Sequence, residues 1–174
     1  MIISVRDLKK EVELNGWTDE KIARKLKAIE CAIRKYTNNN FQDRTIRSEC
    51  ELMSQKLYGV SVPNLKVGDT IQVSESMFND GIYVIKSIEN KFIELDQALI
   101  DESHALVTKV VYPDDVVDCA LNLLEWSHKF GGKVGVKSET LSRHSVTYED
   151  SATLYDGYPV GLLNCLNKYR KARF

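Results

Sequence analysis

Apolar positions along this chain recur with two different periods, and the period changes twice. Between Thr18 and Asn38, the residues Ile22, Leu26, Ile29, Ile33 and Tyr36 return at steps of four, three, four and three. That spacing puts side chains on one face of an α-helix. Thr18 stands where an N-cap belongs, with Lys21 in place of the usual capping-box acid. Lys21, Arg24, Lys25, Lys27, Arg34 and Lys35 fall mostly on the other side. The run Asn38-Asn39-Asn40 ends the helix, since Asn tolerates left-handed geometry and competes for backbone hydrogen bonds. Upstream, Ser4 caps a shorter helix with Asp7 near its positive end and Val5, Leu8 and Val12 as its stripe; Asn15-Gly16 breaks it.

From Tyr58 the period shortens to two. Val67-Gly68-Asp69 turns into the alternating strand Thr70–Ser74, and Asn79-Asp80-Gly81 turns into Ile82–Ile88. Glu89-Asn90-Lys91 then leads into Phe92–Leu95, and Leu106–Tyr112 closes the set. Short strands joined by tight turns predict a small twisted sheet or open barrel. The helical period returns at Pro113, where Asp114, Asp115 and Asp118 crowd a first turn and Val117, Ala120, Leu121 and Leu124 form the stripe, until Gly131-Gly132. A last helix opens at Pro159 and presents Leu162, Leu163, Leu166 and Tyr169. The fold expected is α+β: a small helical bundle, with helices near 4–13, 18–37, 113–130 and 159–171, carrying an inserted four- to five-stranded β-sheet or barrel. Residues 1–58 and 113–174 form the helical core with an extended arm at 135–158, and 59–112 form the β subdomain.

At 174 residues the chain is long enough to bury a real core. No apolar run approaches the roughly 18 residues of a membrane span, and Met1–Arg6 lacks the pattern of a secretory signal. Cys31, Cys50, Cys119 and Cys165 lie far apart with no Cys-x-x-Cys pair, which predicts reduced thiols and a cytoplasmic folding compartment. The net charge of −1 conceals blocks. Residues 1–58 hold 12 basic and 9 acidic side chains, 59–112 hold 4 and 8, 113–158 hold 4 and 8, and 159–174 hold 4 and none. Alternating blocks suit subunits that meet through complementary surfaces; a nucleic-acid-binding face is more uniformly basic.

Sequence motifs for catalysis are weak. Asp114-Asp115-x-x-Asp118 reads as a helix start matched to its dipole rather than paired catalytic carboxylates. His104, His128 and His144 lie in separate segments without zinc-ligand spacing. Gly131-Gly132-Lys133-Val134-Gly135 follows a helix and lacks the hydroxyl residue of a phosphate loop, and no Gly-x-Ser-x-Gly elbow occurs. The β segment resembles small SH3-like barrels, some of which bind nucleic acid, but its acidity favours an interaction or spacer role. The terminal Lys168, Tyr169, Arg170, Lys171, Arg173 and Phe174 combine cations with aromatic side chains. A solvated helix end matched to its dipole, a nucleic-acid patch and a docking tail compete, and Phe174 as an apolar anchor favours docking.

Four features now stand in order: the opening Ile3-Ser4-Val5-Arg6-Asp7-Leu8-Lys9; the Ile22–Tyr36 helix leading to Asn39-Asn40-Phe41; the Pro113-x-x-Val116-Val117 helix; and the arm Val136-Lys137-Ser138-Glu139 with Ser145-Val146-Thr147-Tyr148, followed by Tyr169-Arg170-Lys171-Ala172-Arg173-Phe174. In this order and spacing, over 1–56 and 113–174, the chain resembles the head–tail connector proteins (adaptor or head-completion proteins) of long-tailed bacteriophages. The resemblance implies a structural virion protein of the neck, made in the host cytoplasm, that is not an enzyme, needs no cofactor and meets no membrane. It implies a twelve-fold ring under the portal that extends the DNA channel and contacts a further neck or tail-completion protein. The β segment departs from minimal members. On this expectation the arm residues Val136, Ser138, Val146 and Tyr148 pack on the adjacent subunit, and 159–174 engage the portal. Truncation of 159–174 is then expected to spare the bundle. Lys21, Arg24, Lys25 and Lys27 are candidates for loose, non-specific contact with passing DNA. The alternative is a small nucleic-acid-binding regulator, though no convincing helix-turn-helix is found.

Overall fold

The computed structural model describes residues 2–131, 138–141, 144–147 and 154–172. They form an α+β protein that divides into two compact units, one of Asn39–Tyr112 and one of Ile2–Asn38 with Pro113–Phe174.

The first unit is a closed six-stranded antiparallel barrel. Its strands are β1 (Gln42–Met53), β2 (Lys56–Tyr58), β3 (Thr70–Ser74), β4 (Gly81–Ile88), β5 (Phe92–Leu95) and β6 (Glu102–Val110), in the order β1-β2-β5-β4-β3-β6. The long β1 closes the ring by pairing with both β2 and β6, and register shifts between Gln42 and Arg47 and between Cys50 and Leu52 mark the irregularities along it. Such bulges bend a strand, as closure requires. Alternation then fills the interior: Ile71 and Val73, Tyr83 and Ile85, Ile93 and Leu95, Ala105 and Val107 all point into one core with Cys50, Leu52, Leu57 and Leu99.

The strands expected at 70–74 and 92–95 are present with those bounds. Two differences stand out. Residues 42–58, grouped from sequence with the helical core, supply β1 and β2 and belong to the barrel unit. The last strand begins at Glu102 rather than Leu106, because Leu52 of β1 pairs opposite Glu102. Six strands, not four or five, result.

The second unit is helical. It contains α1 (Val5–Glu11), α2 (Asp19–Thr37), α3 (Asp114–Phe130) and α4 (Val160–Leu163), which runs into a 3-10 helix at Asn164–Tyr169. The caps act as their residue types dictate: the side chains of Ser4 and Thr18 accept from the amides of Asp7 and Lys21, and Asn38 takes the left-handed conformation, φ 49°, that ends α2. Leu8, Ile22, Leu26, Ile29 and Ile33 are buried. On α3 the buried residues are Val116, Cys119, Ala120, Leu121, Leu123, Leu124 and Ser127: of the expected stripe Ala120, Leu121 and Leu124 are buried and Val117 is half-buried. Leu163 and Leu166 are fully buried in the same unit. The segment expected to be a detachable docking helix is therefore a short α-turn and a 3-10 helix that complete their own core. Deleting 159–174 is expected to open that core rather than spare it, since it removes the buried Leu163 and Leu166.

Among the described residues, two hairpins lie between α3 and α4. In the first, β7 (Ser138–Leu141) pairs with β8 (His144–Thr147). In the second, β9 (Leu154–Tyr155) pairs with β10 (Tyr158–Pro159) around Asp156 and Gly157, both at positive φ. Among the described residues no helix is long and apolar enough to cross a membrane.

Candidate docking site

The carboxyl-terminal segment is tied down at both of its faces. Toward α3, the Tyr169 hydroxyl donates to Asp115 at 2.7 Å, and the Lys168 ammonium meets the same carboxylate at 2.6 Å. Toward the end of α2, the Lys171 amide donates to the Thr37 carbonyl at 2.8 Å, and the Asn38 side chain donates to the Ala172 carbonyl at 3.1 Å. Tyr36 donates to the Asn167 side chain at 2.8 Å, and the Arg170 guanidinium lies 5.2 Å above the Tyr36 ring. The left-handed Asn38 explains why this arrangement forms: the helix-ending turn directs its amide group at the returning chain. Lys35 adds an ion pair to Asp156 at 3.1 Å, beside a Tyr36–Tyr155 edge contact.

Electrostatics follow from these contacts. The Lys168 ammonium, then the Tyr169 hydroxyl, hold Asp115 below the usual carboxylate range. Hydrogen bonding to Asp115 raises both Lys168 and Tyr169 above their ordinary values, and Asp156 does the same for Lys35. Lys168 thus spends part of its charge inside the unit. Arg170 and Lys171 are exposed on the surface that the segment presents.

Of the residues expected to dock, Lys168, Tyr169, Arg170 and Lys171 come together here, while Arg173 and Phe174 lie outside the described residues. Of the arm residues, Ser138 and Val146 fall on β7 and β8, where Ser138 pairs opposite Thr147 and Val146 opposite Glu139. Val136 and Tyr148 lie outside the described residues. On α2, Arg24 and Lys27 are exposed, and Lys25 is half-buried. Lys21 sits 4.4 Å above the Trp17 ring. Helical geometry places Arg24 nearly opposite the buried Ile22, Leu26, Ile29 and Ile33, with Lys21, Lys25 and Lys27 flanking it.

Two features escaped the sequence reading. Glu30, on the core face of α2, is buried and held by Arg34 at 3.0 Å across one helical turn. Its i, i+4 spacing was visible; its burial was not. Cys119 and Cys165 both point their thiols at the Leu162 carbonyl, at 3.3 and 3.5 Å. Burial, and then the neighbouring Cys165, push the Cys119 thiol up. On the barrel, a hollow of about 510 Å³ opens between Leu57–Leu65 and the β4–β5 turn; its ionisable groups, Glu89 and Lys91, are both exposed. Among the described residues, no group of His, Cys, Asp and Glu side chains is placed to hold a metal ion.

No protein-family model matches this sequence, and no curated protein does either.

Proposed function

We propose that this chain is a joining subunit of a virion neck, a head–tail connector that docks under the portal, extends the DNA channel and links the packaged head to the tail. The observation that carries the reading is the β7–β8 hairpin between α3 and α4. Among the described residues β7 pairs with β8 and with no third strand. An isolated two-stranded hairpin is marginal in water, and its outer edges offer backbone donors and acceptors to another chain. Strand addition from a neighbour completes such a hairpin. Repeated around a circle, one subunit's hairpin meeting a different patch on the next is the heterologous contact that closes a ring. The alternating charge blocks supply complementary surfaces for the same contact. The exposed Arg170 and Lys171 are the docking cations, and the basic side of α2 gives passing duplex only loose electrostatic contact.

The test is to mix the purified chain with the portal oligomer of the same phage and image the product by negative stain. A variant with 138–147 replaced by a Gly-Ser linker is the control. Wild type is expected to form rings on the portal, and the variant to lose them while its thermal unfolding midpoint holds. A wild-type chain that stays monomeric beside the portal overturns the reading. The exposed α2 cations favour one second reading, a nucleic-acid-binding regulator. Nanomolar, salt-sensitive duplex binding abolished by Arg24→Glu with Lys27→Glu decides for it.

A further inference from the structure

One end of the barrel carries an apolar cluster that the barrel core does not absorb. Met77 is 82 % exposed, Phe78 64 %, Ile100 56 % and Met53 49 %. They come from three separate places: the β3–β4 loop, the β5–β6 connection and the end of β1 next to its turn into β2. Hydrogen bonds bring the three together. The Asn79 side chain, itself buried, donates to the Ile100 carbonyl at 3.0 Å and accepts from the Ile100 amide at 2.8 Å. The Asp101 carboxylate accepts from the Ser54 amide at 2.8 Å.

The loop bearing Met77 and Phe78 is held rigidly. The Glu102 carboxylate accepts from the Ser76 hydroxyl at 2.6 Å, the Phe78 amide at 2.7 Å and the Met77 amide at 3.2 Å. Asp80 accepts from the Ser76 amide at 2.9 Å, and the Tyr83 hydroxyl donates to the Asn79 carbonyl at 2.9 Å. Glu75, which opens the loop, stands at φ 59°, a conformation that non-glycine residues adopt only where their surroundings impose it. A loop so fixed loses little further entropy when a partner settles on it.

Charge selects the partner. Segments 53–55, 75–80 and 98–102 contain Glu75, Asp80, Asp101 and Glu102 and neither Lys nor Arg; the nearest cation, Lys56, pairs opposite Met53 and lays its ammonium over the Phe92 ring at 3.9 Å. An apolar centre whose border carries four acidic groups against one cation, itself turned onto Phe92, disfavours nucleic acid and anionic lipid and attracts cations next to apolar anchors. We propose that this barrel end is a docking site for a partner protein through a basic peptide segment bearing bulky apolar side chains. Met77 and Phe78 are its central anchors, and Glu75 steers the cations. The site belongs to the barrel unit and stands independently of the connector reading.

The experiment pans a random peptide display library on the full-length chain, in parallel with a Met77→Asp, Phe78→Asp variant. Both positions are solvent-exposed, so the variant's unfolding midpoint should match wild type. The best clone is then synthesised and measured by fluorescence anisotropy at low and high salt. Enriched clones should combine Lys or Arg with Leu, Phe, Tyr or Trp, and affinity should fall at least tenfold on the variant. It should also weaken as salt rises. Glu75→Lys, which leaves the Glu102 network untouched, should weaken binding severalfold. Clones lacking basic residues, or binding wild type and variant alike, overturn the proposal. So does concentration-dependent self-association that the variant abolishes, which would assign the patch to a second copy of the chain.

Discussion

The barrel and the helical unit solve the problem of burying a core in opposite ways. The barrel is one continuous stretch, Asn39–Tyr112, closed on itself by strand pairing. The helical unit is discontinuous: α1 and α2 come from one end of the chain, α3 and α4 from the other. Closure leaves the barrel without open edges. The helices satisfy their backbone internally but cannot bury their apolar faces until both ends of the chain meet. The contrast teaches that local sequence can complete the barrel, whereas the helical unit depends on contacts between residues more than a hundred positions apart.

The largest test of that contrast is excision. Residues 39–112 expressed alone should unfold cooperatively in urea with dispersed amide resonances. Residues 1–38 alone should show weak helicity by circular dichroism, because helices of this length are marginal without packing. An unfolded 39–112 fragment breaks the comparison.

Core truncation comes next. Leu26→Ala and Leu166→Ala should each destabilise the helical unit by about 2–5 kcal/mol in urea melts. Equal costs would establish the carboxyl-terminal segment as core rather than appendage. A negligible effect of Leu166→Ala would refute its place there. Glu30→Ala, which strips Arg34 of its buried partner, should cost roughly 1–3 kcal/mol.

A smaller effect concerns pH. Asp115 is depressed, so its contribution is complete above the ordinary carboxylate range and disappears as pH falls below about 4. Lys168 and Tyr169 are raised, so theirs is complete below about pH 10 and lost above it. The unfolding midpoint should therefore plateau between these limits. Asp115→Asn should lower the plateau slightly and flatten both of its shoulders; unchanged shoulders would remove the Asp115 cluster from the account.

The smallest perturbation is chemical labelling, which leaves the fold intact. Cys31 and Cys165 are exposed, whereas Cys50 and Cys119 are buried. Burial pushes the Cys50 thiol up to about 11. In native protein two thiols should react promptly with a disulfide reagent and the other two only on unfolding. Prompt reaction of Cys50 would show that the barrel opens readily.

Why some elements were legible and others not comes down to where their instructions reside. The helix caps at Ser4, Thr18 and Asn38 act within three or four residues, so residue type was enough. The β1–β2 hairpin was hidden because its turn, Ser54-Gln55, holds both central residues at positive φ without the Asn-Gly or Asp-Gly that normally announces it. Asp156-Gly157 makes a two-residue turn with that ordinary signature. In the candidate site, the cationic and aromatic character of 168–171 was plain. That Asp115 would hold two of these residues was not, since more than fifty residues intervene.

Periodicity alone specified α2, α3 and the strands between Thr70 and Leu95, because each side chain's direction follows from local backbone geometry; it did not reveal β1, β2 or the 3-10 helix at Asn164–Tyr169. Charge blocks and cysteine spacing were likewise settled by order in the chain. Barrel closure by β1, capture of the terminal segment by α2 and α3, and the gathering of Met53, Met77, Phe78 and Ile100 were decided only in three dimensions. Each depends on groups far apart in sequence whose pairing is worth its entropy only after the rest of the unit has formed.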